Sequence, residues 1–442
     1  MASSMSGDGP EGNDGPPRMQ RVITLRYAVA MYISSVLGSG ILVVPGLAAA
    51  VAGPASILAW ILLALASYPF AYTFARLSAR RPESGGIYSF ALESFGHTAS
   101  SAVAWLFVAW EVLGAPAATL AAASYLASAF PLSRPEIFAV AIVILSLGFG
   151  INYLGIKLSG RVQLATVVSI VGVLFFAVLT SVSRVSASNL TPFFPHGVLS
   201  VGVASALIVW CFLGYENVSN VAEEFKDPKR DFHRSVLISV VLVSVLYLAV
   251  AFVIVGTGVY RTGSGVTPFA NMTEGIFGRS GAAVVSILAV FIIFGTVNAY
   301  TAGFGRVAYA AAREGDLPKQ LAVLDKKTGT PRRALLALYS LAMVSFVGFY
   351  LLSVNIETAF LATSGAAIFA YIIGSLAGMK LLKENGIRRA LPVISLVVSV
   401  LILPFIGTLL VYSVVIVVLG VLASRLLTRK GPSSNSPQAA AV

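Results

Sequence analysis

The sequence is poor in charged residues and contains a single cysteine. Lys, Arg, Asp and Glu together make up 11% of its 442 residues, against about 25% in a typical soluble domain. Cys211 alone excludes a disulfide within the chain, and His97, His196 and His233 are too widely separated to suggest a metal site. The composition excludes a soluble enzyme, a disordered protein and a nucleic-acid binder. It predicts no metal and no other cofactor.

Apolar residues, by contrast, account for 57% of the chain, and the mean hydropathy is +0.88. A helix that spans a bilayer needs about 20 mostly apolar residues. Twelve segments meet this requirement, and they lie at 25–52, 55–77, 98–128, 135–154, 160–182, 198–220, 234–257, 280–312, 333–352, 356–379, 390–407 and 409–427. The flanking segments 1–24 and 431–442 predict disordered cytoplasmic tails. The sequence therefore predicts an all-α membrane protein with twelve transmembrane helices.

The basic residues are unevenly distributed over the predicted connections. If the N-terminus lies inside the cell, only four of the 30 Lys and Arg residues fall in outer connections, which leaves 26 inside. The four outer residues are Arg134, Arg184, Arg261 and Arg279. Membrane proteins concentrate Lys and Arg in cytoplasmic loops. The distribution predicts that both termini are cytoplasmic and accounts for the net charge of +12.

The first predicted helix contains a signal for an interruption in the middle of the membrane. Gly38-Ser39-Gly40 is followed by Pro45, so the backbone can unwind there without Cβ clashes. A half-helix starting at this point would direct free N–H groups and a positive dipole end toward a carboxylate. Close packing of helices through small residues explains the pattern equally well.

The sixth predicted helix places Gly214 beside Glu216 within an apolar run. An intramembrane Glu is costly, which makes it a functional candidate. Carbonyl groups freed near Leu213 would accept hydrogen bonds from an ammonium group. Together, the two interruptions would offer N–H groups to an anion and carbonyls to a cation, which favours a zwitterionic amino acid as the substrate.

The two interrupted helices also predict the organisation of the chain. Broken helices at corresponding positions of two halves are typical of transporters built from inverted repeats. The first and sixth helices lie five apart, so we expect one five-helix repeat at 25–182 and a second, inverted repeat at 183–380. The remaining segment, 381–430, would form two peripheral helices.

Five motifs resemble, in order along the chain, those of the amino acid–polyamine–organocation transporters. They are Gly38–Ile41 with Pro45, Pro82–Tyr88, Trp210–Glu216, Glu223–Arg230 and Arg313–Pro318. Within that superfamily, the runs Trp210–Phe232 and Leu376–Leu382 are most similar to bacterial exporters of methionine and branched-chain amino acids. The resemblance implies a five-plus-five inverted repeat that works by alternating access.

The resemblance also implies a set of site residues. N–H groups near the start of the second half-helix would hold the substrate carboxylate, and carbonyls at the two breaks would hold its amino group. The implied substrate-binding residues are Val36, Ser39, Gly40, Ile41, Trp210, Leu213, Gly214 and Asn298. The implied gating residues are Phe212, Glu216 and Tyr300.

The ion that drives transport is predicted less directly. Several relatives place a lysine midway along the fifth helix, but the stretch Thr166–Ile170 has none here, so coupling through such a lysine is in doubt. Glu111 and Glu216 are the coupling candidates, although a structural carboxyl group, hydrogen-bonded to a neighbouring helix or to water in a cavity, is the somewhat favoured interpretation of Glu111. We expect a proton or no coupling ion. A sodium site, to which Thr296 and Thr301 would contribute, is the less favoured alternative.

The sequence thus predicts a plasma-membrane secondary transporter of neutral, apolar L-amino acids, without catalytic residues, which is proton-coupled or works by exchange. A carrier of cationic amino acids or polyamines is the alternative within transport, because Glu111 would supply a fixed negative charge. An ion channel or a receptor that does not transport is the alternative from another class. A channel would conduct without counterflow, and a receptor would bind without moving its ligand.

Overall fold

The computed structural model describes residue 19, residues 21–261 and residues 266–429. Within these ranges the chain forms α-helices and short 3-10 turns, with two isolated β-bridges and no strand. The α-helices are α1 (Leu25–Val36), α2 (Ser39–Ala52), α3 (Ser56–Arg80), α4 (Ile87–Phe95), α5 (His97–Ala129), α6 (Arg134–Leu154), α7 (Ile156–Ser181), α8 (Leu199–Phe212), α9 (Pro228–Thr257), α10 (Pro268–Arg313), α11 (Arg332–Leu352), α12 (Ile356–Leu381), α13 (Ala390–Ile406) and α14 (Leu410–Arg429). The predicted C-terminal tail and residues 1–18 and 20 of the N-terminal one lie outside the described residues.

Among the described residues, ten helical runs are long and apolar enough to cross a membrane. Two of these runs contain more than one helix, since Leu25–Arg80 covers 56 residues and Gly386–Leu427 covers 42. Large apolar side chains remain exposed on the outside of the bundle, among them Leu199 at 78% and Leu352 at 77%. The prediction of an all-helical, multi-pass membrane protein is confirmed. The count of twelve spans, the inverted repeat and the domain boundaries stay predictions.

The boundaries of several helices follow from capping chemistry outside the apolar runs. Ser133 and Glu136 form a reciprocal capping box at the start of α6. At the start of α12, the Asn355 side chain accepts a hydrogen bond from the Thr358 N–H at 2.7 Å. The helix α10 is longer than predicted, because it begins at Pro268, twelve residues before the predicted 280. The additional residues form a short helical segment before Gly278, whose φ of 67° interrupts the helix.

The first interruption separates α1 from α2. Leu37 donates its N–H to the Ile33 carbonyl at 2.6 Å and ends the first helix, and Gly38 adopts φ −126° and ψ −135°. A Cβ atom on Gly38 would lie 1.9 Å from Thr296 Oγ1. Because α10 approaches the backbone this closely, a glycine is required at the break.

The second interruption follows α8. Leu213 is extended and Gly214 has a φ of 126°, after which residues 217–220 form a 3-10 turn. A Cβ atom on Gly214 would lie 2.9 Å from the backbone carbonyl of Ser35. The unwound segment after α8 therefore packs directly against the last turn of α1, and the two interruptions lie side by side.

The end of the bundle that carries most of the basic residues holds a second group of buried contacts. Arg306 and Glu224 form an ion pair, with Nε and Oε1 2.7 Å apart and both side chains at most 2% exposed. The Glu224 carbonyl accepts hydrogen bonds from the N–H groups of Val22 and Ile23, at 2.9 and 2.8 Å. These contacts attach the chain just before α1 to the segment between α8 and α9.

Candidate functional site

A cavity lies between the two interruptions. Its walls come from α1, α2, α5, α8 and α10 and from the unwound segment. The lining residues are Ser35, Val36, Gly38, Ser39, Gly40, Trp110, Glu111, Gly114, Ala115, Ala118, Trp210, Leu213, Thr296, Val297 and Tyr300. The structure thus brings together seven of the predicted site residues: Val36, Ser39, Gly40, Glu111, Trp210, Leu213 and Tyr300.

The N-terminus of α2 borders the cavity. Ser39, Gly40 and Ile41 are its first three residues, so their N–H groups have no acceptor within the helix, and the positive end of the helix dipole lies there. Trp210 Nε1 donates a hydrogen bond to Ser39 Oγ at 3.2 Å. A Cβ atom on Gly40 would lie 2.7 Å from Cys211 Sγ. The N-terminus of α2 has the chemistry to bind a carboxylate.

The C-terminal ends of α1 and α8 provide the opposite chemistry, because their last carbonyl groups accept no hydrogen bond from an N–H group of the same helix. The Val36 carbonyl accepts hydrogen bonds from Gly38 N–H, at 3.1 Å, and from the hydroxyl of Tyr247. That hydroxyl also contacts the Cys211 carbonyl at 2.8 Å. Tyr247, on α9, was not predicted as a site residue. It joins the ends of both interrupted helices and so fixes the spacing of their carbonyl groups.

The side walls of the cavity are aromatic. Trp210 stacks on Phe360 with ring centroids 4.2 Å apart and an interplanar angle of 13°. Tyr300 lies 5.8 Å from Trp110 and 5.3 Å from Phe304, measured between centroids. Such walls favour an apolar side chain over a strongly hydrated one.

Glu111 is the charged residue among the described residues that line the cavity. It is 2% exposed, and its Oε1 accepts a hydrogen bond from Thr301 Oγ1 at 3.1 Å. Thr296 directs its hydroxyl to the Ser34 carbonyl at 2.9 Å. Both threonines that the sequence suggested as sodium ligands therefore have hydrogen-bond partners within the protein.

Glu216 lies outside the cavity, within the unwound segment. Its Oε2 accepts hydrogen bonds from Gly214 N–H, at 2.8 Å, and from the hydroxyl of Tyr371. Its Oε1 has no hydrogen-bond partner in the part of the chain that the structure describes. Tyr371, on α12, is a second residue missed by the sequence analysis. The carboxylate takes up a backbone N–H that the end of α8 leaves free.

Four other predicted residues do not line the cavity. Asn298 turns toward α6 and α7, where its Oδ1 accepts a hydrogen bond from Asn152 Nδ2 at 2.9 Å. Phe212 packs against Tyr247, with centroids 5.0 Å apart. Ile41 is fully buried in the protein core, and Gly214 shapes the break in the backbone. The sequence pattern predicts which residues lie close to the two interruptions, but it does not predict the direction in which the side chains of Asn298 and Phe212 point.

A multi-pass helical bundle that encloses a cavity between two interrupted helices has the architecture of a membrane transporter. The chain belongs to the amino acid permease family, whose model matches residues 23–432. The predicted resemblance to this superfamily is confirmed, and the family is one of transporters, which is not an enzyme class. The protein is therefore a multi-pass membrane protein of amino acid transport.

Several curated relatives cover most of the chain. An uncharacterized amino acid permease of Bacillus subtilis, YecA, is 31% identical over 404 residues, which are 91% of this chain and 95% of the relative. The L-methionine/branched-chain amino acid exporter YjeH of Escherichia coli is 27% identical over 400 residues, or 90% and 94%. The branched-chain amino acid permease BcaP of Bacillus subtilis is 28% identical over 323 residues, 68% of each chain.

Proposed function

We propose that this permease is a secondary transporter of neutral, apolar L-amino acids in the plasma membrane. The observation that carries the proposal is the cavity itself, which is bordered by the N-terminus of α2 and by Val36 and Leu213 at the C-terminal ends of α1 and α8. The carboxylate and the amino group of a zwitterionic amino acid match these two kinds of helix end. The aromatic walls, from Trp110, Trp210 and Tyr300, match an apolar side chain.

The names of two relatives support this substrate class. YjeH is named for methionine and branched-chain amino acids, and BcaP for branched-chain amino acids. Glu111 supports a second candidate, a cationic amino acid, because its carboxylate lines the same cavity. Its hydrogen bond from Thr301 and the lack of a second acidic residue among the described lining residues favour the neutral substrate.

We further propose twelve spans in two inverted five-helix repeats, with both termini in the cytoplasm. A helical crossing of a hydrocarbon core of about 30 Å takes about 20 residues. The run Leu25–Arg80 has 56 residues and contains α1, α2 and α3, which supports two crossings within it. The skewed distribution of Lys and Arg supports the orientation.

Transport would proceed by alternating access, with Tyr300 as an aromatic gate and Glu216 as the brace of the unwound segment. Glu111 is the proposed proton-coupling carboxyl group, and exchange without an ion is the alternative. A sodium site with Thr296 and Thr301 stays the less favoured alternative; both hydroxyls donate their hydrogen within the protein, to the Ser34 carbonyl and to Glu111. A gating role for Phe212 stays a prediction from the resemblance.

Counterflow in proteoliposomes tests the substrate class. Vesicles loaded with unlabelled leucine or methionine should take up the labelled amino acid far above vesicles without protein, and unlabelled arginine or putrescine outside should not compete. Competition by arginine or putrescine but not leucine would instead establish the cationic carrier. Uptake that neither saturates with substrate nor is accelerated by internal substrate would indicate a channel, and binding without uptake would indicate a receptor.

A further inference from the structure

One face of α10 carries successive polar contacts with α1 and with the unwound segment that follows α8. The contacts involve residues 296, 299, 303 and 306. Their spacings of three, four and three residues place them within about 80° around the helix axis and over about 15 Å along it. This α10 contact face extends from the cavity to the end of the bundle that carries most of the basic residues, the basic end.

Polar groups close both ends of the α10 contact face. At the cavity, the Thr296 hydroxyl donates a hydrogen bond to the Ser34 carbonyl at 2.9 Å. At the basic end, Arg306 Nε and Glu224 Oε1 are 2.7 Å apart, and both side chains are buried. A solute that leaves the cavity along this face must separate these groups. Water can replace the protein partners of polar groups that separate, so such contacts open at a small net cost in free energy.

Asn217 makes the contact in the middle of this face. Its Nδ2 donates hydrogen bonds to Ser35 Oγ at 3.0 Å and to the Ala299 carbonyl at 2.9 Å. A carbonyl group only accepts hydrogen bonds, so the contact requires an amide N–H and a carboxylate cannot replace it. The side chain is fully buried, and Ser35 lines the cavity. One amide group therefore joins α1, the unwound segment and α10.

Gly303 leaves the space that this amide occupies. A Cβ atom on Gly303 would lie 1.9 Å from Asn217 Oδ1, so a larger residue would push the unwound segment away from α10. The same Oδ1 has no hydrogen-bond partner among the residues that the structure describes. Separation of the unwound segment from α10 would let water reach this atom, which lowers the cost of opening further.

We propose that Asn217 is a positioning residue of a gate between the cavity and the basic end. Its amide holds α1 and the unwound segment against α10 while this side is closed, and its bond to the Ala299 carbonyl breaks when this side opens. The inference rests on the proposed alternating access, because a carrier opens and closes each side of its cavity in turn. It does not depend on which amino acid is carried.

The rate at which a buried thiol is labelled measures how often the α10 contact face opens. Ala299 is fully buried within this face, so Ala299→Cys in the full-length protein should react slowly with a membrane-impermeant maleimide. In this background, Asn217→Asp removes the amide donor and Gly303→Ala displaces it. Either change should raise the labelling rate roughly fivefold, the factor that corresponds to one hydrogen bond, because labelling follows the population of the open state.

The increase in labelling should be confined to one face of the membrane, because this gate opens to one side. Right-side-out and inverted membrane vesicles measure the two faces, and the inverted vesicles should label faster in the proposed orientation. A general loss of structure would instead raise the labelling rate from both faces. The labelling needs no substrate, so a failure of leucine counterflow would contradict the proposed substrate class and not the role of Asn217.

Two variants in the same background serve as matched controls. Asn152→Asp removes an amide donor that bonds to the neighbouring carbonyl of α10, that of Asn298, at 2.9 Å, but from α6. Gly420→Ala places a Cβ atom 2.2 Å from Trp105 Cγ, at the contact between α14 and α5. Both should label at the rate of the protein that carries the introduced cysteine alone. Unchanged labelling in the two test variants, or an equal increase in the controls, would overturn the proposal.

Discussion

Tyr247 connects two helices that the backbone itself does not connect at this point. Its hydroxyl contacts the terminal carbonyls of α1 and α8, while its ring packs on Trp60 and Phe212 with centroids 5.2 and 5.0 Å away. The carbonyl groups of a helix end are otherwise free to bind water or a ligand. A tyrosine here leaves the remaining carbonyls in a fixed arrangement for the amino group of the substrate.

We expect Tyr247→Phe to raise the KM for the amino acid roughly fivefold, because the hydroxyl that positions the carbonyl groups is lost and a hydrogen bond contributes about 1 kcal/mol. The contacts of the ring remain, so the fold should be unchanged. The dependence of uptake on substrate concentration measures this change. Tyr125→Phe is the matched control, because the Tyr125 hydroxyl donates to the Leu42 carbonyl at 2.6 Å, away from the cavity. A KM that rises equally in both variants would contradict the positioning role.

Glu111 is the residue at which the choice between coupling and structure can be tested. Glu111→Gln keeps a hydrogen-bond acceptor for Thr301 but cannot gain or lose a proton. We expect exchange to continue while the dependence of uptake on the pH gradient disappears. Glu274→Gln, at an exposed carboxylate on α10, should change neither. A pH dependence that persists in Glu111→Gln assigns the carboxyl group a structural role.

At the scale of the helices, the interruptions are the features that the sequence predicted well. Glycines beside Ser39 and Glu216 indicated both breaks, because few other residues tolerate the backbone conformations required. The tyrosines that complete the site were not predictable, since Tyr247 and Tyr371 lie in apolar runs and a phenol in such a run gives no sign of its partner. Asn298 illustrates the reverse case, a polar residue that suggested a ligand but bonds to Asn152 instead.

Gly214→Ala tests the second interruption. The backbone there has a φ of 126°, and a Cβ atom would lie 2.9 Å from the Ser35 carbonyl, so the substitution should cost about 1–3 kcal/mol and should greatly reduce transport. Thermal unfolding in detergent and counterflow measure the two effects. Gly348→Ala provides the comparison, because nothing lies within 4 Å of a Cβ atom there. Normal transport by Gly214→Ala would show that the break tolerates a side chain.

The short helix α4 allows a prediction about pH. Hydrogen bonds from the Arg80 guanidinium, at 2.9 and 2.6 Å, lower the pKa of Glu93. A carboxyl group whose pKa is lowered by folding stabilises the folded state at a pH above the ordinary pKa of a Glu side chain. This contribution is lost as the pH falls through the pKa of the folded state. Glu93→Gln should therefore lower the melting temperature at neutral pH and match the wild type in acid. A constant difference across the pH range would argue against this linkage.

At the scale of the whole molecule, the distribution of Lys and Arg predicts on which side of the membrane the connections lie, and cysteine labelling measures it. The single native cysteine, Cys211, is fully buried, so we expect labelling to report only on cysteines that are introduced. A cysteine in place of Lys326 should be protected from a membrane-impermeant maleimide in intact cells, and one in place of Ser188, an exposed residue of the opposite end, should react. The reverse pattern would place the basic connections outside.

The attachment of the chain before α1 has a mechanical consequence. Val22 and Ile23 are bonded to Glu224 at one end of α1, and the Val36 carbonyl is held by Tyr247 at the other. The helix α1 has twelve residues and is about 18 Å long. If α1 tilts, residues 224–226 move with its N-terminal end, and Glu224 moves away from Arg306 unless α10 moves as well. Opening of this end of the bundle is then a concerted movement of three segments.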